Sequence, residues 1–291
     1  MPLQQKNYFT TASDVQLFFK TRPKIAHKGN FGHALLITGS YGKMGAAVLA
    51  AKACIHSGTG LLTVHAPKTG YEILQTTVPE AMVSVDSDPH FISDNSKLEK
   101  YNAIGIGPGI DTQPQTQNVL KVLIQNTPVP LVIDADAINI LAENKTWLSF
   151  IPAGSIFTPH PKEFERLAGK TKNSVERLQK QREFSAKYTV YVVLKGAHTA
   201  ISCPNGDVCF NSTGNPGMAT GGSGDVLTGI ITSLIAQGYT SQQACILGVY
   251  LHGLAGDFAA IEQSEESMTA SDIISNLSKG FHYLHHNGQQ N

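Results

Sequence analysis

From His33 onward, seven short β-rich runs alternate with helical patterns, an order that only a sheet of parallel strands joined by crossover helices accommodates easily. The runs are 33–40 (HALLITGS), 60–66 (GLLTVHA), 81–86 (AMVSVD), 101–107 (YNAIGIG), 130–136 (PLVIDAD), 155–159 (SIFTP) and 189–196 (TVYVVLKG). Several are apolar throughout, as strands covered on both faces must be. Residues 45–58 read as a buried helix stopped at Gly58. Asn173 with Glu176 predicts a capping box for a charged helix reaching about Lys187. Two further runs, HTAISC and DVCFN, flank Pro204, Asn205 and Gly206, which predicts a hairpin. The pattern then turns helical, ending in a helix from about Ala270 to His286 opened by Thr269 and Asp272.

With 291 residues, 41% of them apolar, the chain can bury about three quarters of its unfolded surface in a single fold. Lys plus Arg and Asp plus Glu number 22 each, so no global field draws the chain to nucleic acid or an anionic membrane, and an anionic ligand needs a local site. No linker or composition break interrupts the pattern, so one domain over 1–291 is expected, with an N-terminal extension at 1–20 and a polar tail at 287–291; His285 and His286, just before that tail, read as solvated bystanders. The first residues lack the basic and apolar segments of a signal peptide, and no 18-residue uncharged apolar stretch is expected, so the reading is cytoplasmic. Cys54, Cys203, Cys209 and Cys245 form neither a C-x-x-C pair nor a zinc spacing and read as reduced structural thiols.

The strongest local signal is Asn215-Pro-Gly-Met-Ala-Thr-Gly-Gly-Ser-Gly-Asp225, a glycine-rich loop running into an apolar helix. A helix start leaves unpaired N–H groups and a partial positive charge, so Gly221, Gly222, Ser223 and Gly224 read as an anion hole for a phosphate. Asp225 falls in the first turn, where its carboxylate can take the proton of a hydroxyl undergoing phosphorylation. The plainer alternative, that Ser223 or Asp225 caps the helix, does not call for three glycines. At the end of the 189–196 strand, Lys195 can meet a phosphate as a point charge, and Gly196 lets a nucleotide lie on the backbone. His160, before a helix opened by Pro161, can donate to a ligand, and Glu163 can hold a magnesium-bound water. Asp134 and Asp136 either bind magnesium or cap the next helix. Gly39-Ser-Tyr-Gly-Lys43-Met44 is too short for a Walker A and lacks its Ser or Thr, and Pro108 argues against a Rossmann turn at Gly105–Gly109.

Taken in order, these segments resemble the ADP/ATP-dependent NAD(P)H-hydrate dehydratase family, a branch of the ribokinase-like superfamily, over roughly Arg22 to Leu277. The resembling pieces are Ala26-His-Lys-Gly-Asn-Phe-Gly, Gly39-Ser40 with Met44-Gly-Ala46, Ser57-Gly-Thr-Gly-Leu-Leu-Thr-Val, Gly105-Ile-Gly-Pro-Gly109, Asp134-Ala-Asp-Ala-Ile-Asn139, Thr158-Pro-His-Pro, Lys195-Gly-Ala-His-Thr199 and Gly217 through Asp225-Val-Leu. The resemblance implies a three-layer α/β/α sandwich with a mostly parallel central sheet. It also implies a lyase of metabolite repair: the S epimer of hydrated NADH or NADPH is phosphorylated on its ring hydroxyl by ADP or ATP, and phosphate then leaves. Lys195, Gly196, Ala197, His198, Thr199 and Gly224 would contact the adenine nucleotide; Ala46, Gly109, His160 and Asp225 would contact the hydrated dinucleotide.

Mg2+ is the implied cofactor, with Glu163 and Asp134 as its expected protein groups. The superfamily's Asn-x-x-Glu stands here as His160-x-x-Glu163, and Lys162 replaces a small residue, so the departure falls on magnesium ligation. The resemblance further implies a homo-oligomer, with a tetramer as the assembly the family suggests, and a donor that is ADP or ATP, with ADP expected. A hydrate epimerase would be a separate protein, since about twenty residues precede Arg22. A simple kinase of the same superfamily, or a nucleotide-binding regulator without turnover, would be the competing readings.

Overall fold

The computed structural model describes residues 6–94 and 98–287. In chain order its strands are β1 (Asn7–Phe9), β2 (His33–Ile37), β3 (Leu61–Ala66), β4 (Met82–Val85), β5 (Ala103–Ile106), β6 (Leu131–Ile133), β7 (Ile156–Phe157), β8 (Tyr191–Leu194), β9 (Ala200–Ser202) and β10 (Val208–Phe210). All lie in one sheet of order β1-β10-β9-β8-β7-β6-β5-β2-β3-β4. From β8 to β4 every pairing is parallel; β9 is antiparallel to both β8 and β10.

Strand parity assigns the layers. Ala34, Leu36, Val132, Ile156 and Val193 face the small-residue helix α2 (Met44–His56), the apolar α8 (Ser223–Ala236) and α9 (Ser241–Gln263). Their neighbours Leu35, Ile37, Leu131, Ile133, Phe157 and Val192 face α4 (Pro114–Asn126), α5 (Ala135–Glu143), α6 (Pro161–Ala168) and α7 (Ser174–Tyr188) on the other side. The result is the expected α/β/α sandwich with a mostly parallel sheet.

The sequence reading needs four corrections. The N-terminal extension is not outside the fold: β1 pairs in parallel with β10, and Thr11 caps the short α1 (Ala12–Gln16). The run 130–136 stops at Ile133, because Asp134 is already the residue before α5. Asn173 accepts from the Glu176 N–H, but Glu176 turns to the Lys172 N–H, so the capping box is half formed. An apolar stretch does exist: α9 is long and apolar enough to cross a membrane by length and composition, and 67% of that span is buried within the protein, as in a core helix. His285 is exposed, as expected, with its ring edge-on to Phe19 at 4.9 Å. Residues 288–291 of the tail lie outside the described residues. All four cysteines are free and buried.

The order of the strands locates the site. From β2 the chain moves through β3 to β4 on one side, then returns to β5 and proceeds to β8 on the other. The direction therefore switches between β2 and β5, where open α/β sheets hold ligands at the carboxyl ends of their strands. The two loops there touch, with Gly39 N–H donating to Pro108 O at 2.9 Å. Gly107 has φ +131, and a Cβ on it would stand 1.9 Å from Asp134 O, so the approach of the β5 and β6 loops demands glycine.

Candidate active site

The glycine-rich loop is fixed at its base before it reaches the helix. Asp257 of α9 accepts from Gly214 N–H and from Asn215 Nδ2, each at 3.0 Å, and Asn215 Oδ1 accepts from Gly217 N–H. The loop turns into α8 at Gly222, whose φ of +90 puts it in the left-handed region, and no side chain caps the helix there. The orphan N–H groups of this end are thus left to a ligand. Ser223 is held from behind by His252 of α9, Oγ to Nε2 3.2 Å; burial lowers the His252 pKa to about 4, so the imidazole is neutral.

Asp225 occupies the first turn of α8, partly buried, and among the described residues its carboxylate accepts no hydrogen bond. Burial pushes its pKa up to about 7, with Asp134 adding to the rise, Lys195 opposing it, and Asp136 and Glu163 contributing further. An unbonded carboxylate that titrates near neutrality, beside an uncapped helix end, has the properties of a general base.

Asp134 does not cap α5 through its side chain. Its Oδ1 accepts from Lys195 Nζ at 2.9 Å and Oδ2 from Thr228 Oγ1 at 2.8 Å. Burial would lower the Lys195 pKa, but Asp134, Glu163 and Asp225 outweigh it and the ammonium stands above the ordinary lysine value. The ammonium sits close over Gly224, where a Cβ would lie 3.1 Å from Nζ. Asp136 sits in the first turn of α5, where it accepts from Asp111 N–H and pairs with Lys43 at 3.4 Å.

Between β8 and β9, Lys195, Gly196, Ala197 and His198 line a cleft of about 420 Å³ with Val175 and Phe210; Thr199 is not part of its lining. This size suits a nucleoside. A Cβ on Gly109 would come within 3.1 Å of Ala46 Cβ, so these two sequence-predicted residues meet across the β2–β5 switch.

His160 precedes α6 and caps it, with Nδ1 accepting from the N–H groups of Lys162 (3.1 Å) and Glu163 (3.2 Å). Both donors are backbone, so Nδ1 is the unprotonated nitrogen and the proton is on Nε2, in a side chain 44% exposed. Glu163 completes the capping box through Oε2 to His160 N–H at 2.7 Å. The two duties are separable. His160→Ala is expected to cost about 0.5–2 kcal/mol through the lost cap, whereas His160→Asn keeps a favoured cap residue and loses only the outward donor. Thermal melts and ligand titrations on both variants check this; an equal loss of stability in the two would contradict the cap.

Gly222→Val is expected to cost about 1–3 kcal/mol in backbone strain and to weaken an adenine nucleotide at the helix end. The new Cβ would stand 2.3 Å from Leu49 Cδ1. Unchanged nucleotide affinity by calorimetric titration would count against the anion hole.

His252, Thr228 and Asp257 are the supporting residues that sequence reasoning missed. Each lies in a helix whose apolar pattern explains its presence as core, and no local motif marks it.

A family model described as NAD(P)H-hydrate dehydratase matches residues 34–279. The chain is 39% identical over 263 residues to a bifunctional NAD(P)H-hydrate repair enzyme of Moorella thermoacetica, covering 87% of this chain and 50% of the relative. It thus spans about half the length of the first curated relatives it matches. To the ADP-dependent (S)-NAD(P)H-hydrate dehydratase of Bacillus subtilis it is 33% identical over 280 residues, covering 94% and 98% of the two chains. A crystal structure of the Bacillus subtilis ADP/ATP-dependent NAD(P)H-hydrate dehydratase, co-crystallised with ATP/Mg2+, superposes with a TM-score of 0.83 at 29% identity over 95% and 98% of the chains. A ribokinase-like superfamily protein of Enterococcus faecalis gives 0.82 at 29% identity over 96% of each. The fold is therefore that of the ribokinase-like superfamily, with the acidic site at its topological switch. Within that class, the chain belongs to the NAD(P)H-hydrate dehydratase family.

Proposed function

We propose that this chain is a metabolite-repair lyase that uses a nucleoside phosphate to dehydrate the S epimer of hydrated NADH and NADPH. The observation that carries the reading is Asp225: an unbonded carboxylate poised near pH 7 in the first turn of a helix that no side chain caps.

The adenine nucleotide lies along Lys195, Gly196, Ala197, His198 and Thr199, with its terminal phosphate at the N–H groups of Gly221, Gly222, Ser223 and Gly224. The hydrated ring meets Ala46, Gly109 and His160, the last donating from Nε2. Asp225 takes the proton of the ring hydroxyl as the oxygen bonds to phosphorus and the bond to the departing nucleotide breaks. The helix end and the Lys195 ammonium stabilise the charge that develops on the phosphoryl oxygens. Phosphorylation converts a poor leaving group into a good one. The lone pair of the ring nitrogen then expels phosphate, and loss of a proton from the adjacent ring carbon restores the dihydropyridine.

Magnesium, when bound, neutralises charge on the nucleotide phosphates. The residues fit it in part: Glu163 has Oε1 outside the cap and can hold a magnesium-bound water, whereas both Asp134 oxygens are engaged and reach a metal only if Lys195 gives way. The dehydratase names of the relatives support ADP as donor. A homo-oligomer, a cytoplasmic location and partnership with an epimerase acting on the other hydrate belong to the same proposal, and the bifunctional relatives support the last of these. Purified protein incubated with hydrated NADH and either ADP or ATP tests it. Recovery of absorbance near that of reduced nicotinamide with ADP is the expected result, and none with either donor would overturn the reading.

A further inference from the structure

The glycine-rich loop leans on one helix, α9, and that helix carries a buried histidine which the chemistry above leaves unused. Thr213 Oγ1 donates to Tyr250 O at 2.9 Å, and a Cβ on Gly253 would stand 2.3 Å from Thr213 Oγ1, so the loop begins in close contact with the α9 backbone. Asp257, one turn further along α9, holds Gly214 and Asn215. His252 reaches the other end of the loop, where Ser223 is the first residue of α8.

Both members of this last contact are nearly out of solvent, His252 at 9% exposure and Ser223 at 8%. At 3.2 Å, Nε2 and Oγ share one hydrogen, and its origin decides what Ser223 can do. If the hydroxyl donates to the ring, its hydrogen points into α9 and only lone pairs remain for an anion. If the ring donates, Oγ is the acceptor and the hydroxyl hydrogen is free for an anion at the helix end. Two observations favour the second arrangement. No side chain caps α8, so its positive end is open to an anion, and a hydroxyl beside an anion donates to it. The ring is neutral, with one N–H, and among the described residues its hydrogen bonds go to Ser223 alone. Burial lowers the His252 pKa most, the Ser223 backbone works against that fall, and Lys195 adds to it. A carbonyl opposes such a fall by facing a ring N–H, so the side of the ring toward Ser223 is its N–H side.

We propose that His252 is a positioning residue for phosphoryl transfer: its Nε2–H holds Ser223 Oγ from behind and turns the Ser223 hydroxyl hydrogen toward the phosphoryl group at the start of α8. Ser223 then adds a side-chain donor to the backbone N–H groups, aimed in advance at the oxygens on which charge develops. His252 keeps its proton throughout. The proposal rests on the reading above for the presence of a phosphate at that helix end.

A double-mutant cycle tests it. Ser223→Ala and His252→Met each remove one partner of the contact, and each should lower kcat/KM for ADP by about 10- to 100-fold, the range for one hydrogen bond to a charged group. The double variant should be no slower than Ser223→Ala alone, because the histidine acts only through the hydroxyl. His252→Gln, whose amide N–H can take the place of Nε2–H, should recover most of the rate. Additive losses, or His252→Gln as slow as His252→Met, would make His252 a packing residue and overturn the proposal. Ser223→Ala with the parent's kcat/KM would overturn it whether or not the His252 variants fold. In the parent protein with ADP bound, the nitrogen-15 shifts of the His252 ring read the tautomer directly: a proton on Nε2 is the expected result, and a proton on Nδ1 would overturn the proposal. If the parent protein dehydrates neither hydrated NADH nor hydrated NADPH, the dehydratase reading fails by itself. The same cycle measured on Kd for ADP, together with the tautomer, then decides the role of His252.

Discussion

Asp225→Asn should lower turnover by about 10² to 10⁴, the usual loss for a general base, while nucleotide affinity stays within a few-fold. The amide fills the same space but cannot take the hydroxyl proton. The pH dependence follows from the raised pKa of about 7. In the parent protein kcat/KM should fall as pH drops below that value, because the base form is lost. Stability moves the other way. A carboxyl that is easier to protonate in the folded chain favours folding below its unfolded pKa near 4, and that contribution is lost as pH rises through about 7. Asp225→Asn should therefore melt higher than the parent at pH 8 and lose this advantage at pH 4. A variant with near-normal turnover, or with no pH-dependent gain in melting temperature, would remove Asp225 from the role.

The second large effect concerns Lys195. Asp134 is 1% exposed and Lys195 23%, so Lys195→Met leaves a buried carboxylate with Thr228 as its remaining partner. Breaking one side of such a pair costs about 3 to 5 kcal/mol, visible as a drop in melting temperature at neutral pH. Nucleotide binding should weaken with it, but for a different reason: the phosphates lose their cation. The double variant Lys195→Met with Asp134→Asn separates the two, because it removes the stranded charge without restoring the ammonium. Most of the stability should return and the nucleotide affinity should not. A double variant that binds nucleotide normally would show that Lys195 serves the fold alone.

What was legible in the sequence divides along a physical line. The central strands were readable because burial on both faces leaves continuous apolar runs, and Asp225 was readable because a glycine-rich turn, a helix start and an acid are contiguous. Strand β1 was not: three exposed residues carry no periodicity, and their partners in β10 are about two hundred positions away. The same distance hid the fate of Asp134. Its local pattern allowed a cap or a metal ligand, while the lysine that pairs with it is 61 residues downstream and meets it only after β6 and β8 are placed in one sheet. His160 was legible as a helix-opening residue with a nitrogen able to donate, but only the backbone contacts of Nδ1 identify that nitrogen as Nε2, which lies 3.4 Å from Glu163 Oε1. His252 shows the opposite limit, being a polar residue in an apolar helix whose contact with Ser223 has no trace in either segment.

The measurement that tests the central claim most directly is the stoichiometry of a single reaction mixture containing protein, hydrated NADH and ADP. If Asp225 and the Gly221–Gly224 loop phosphorylate a hydroxyl beside the ring nitrogen, the ester collapses as soon as it forms. Orthophosphate and reduced nicotinamide should then appear one for one, with one ADP converted to AMP for each. A phosphorylated dinucleotide that persists, with no orthophosphate and no gain in reduced nicotinamide, would contradict the account and make the protein a kinase.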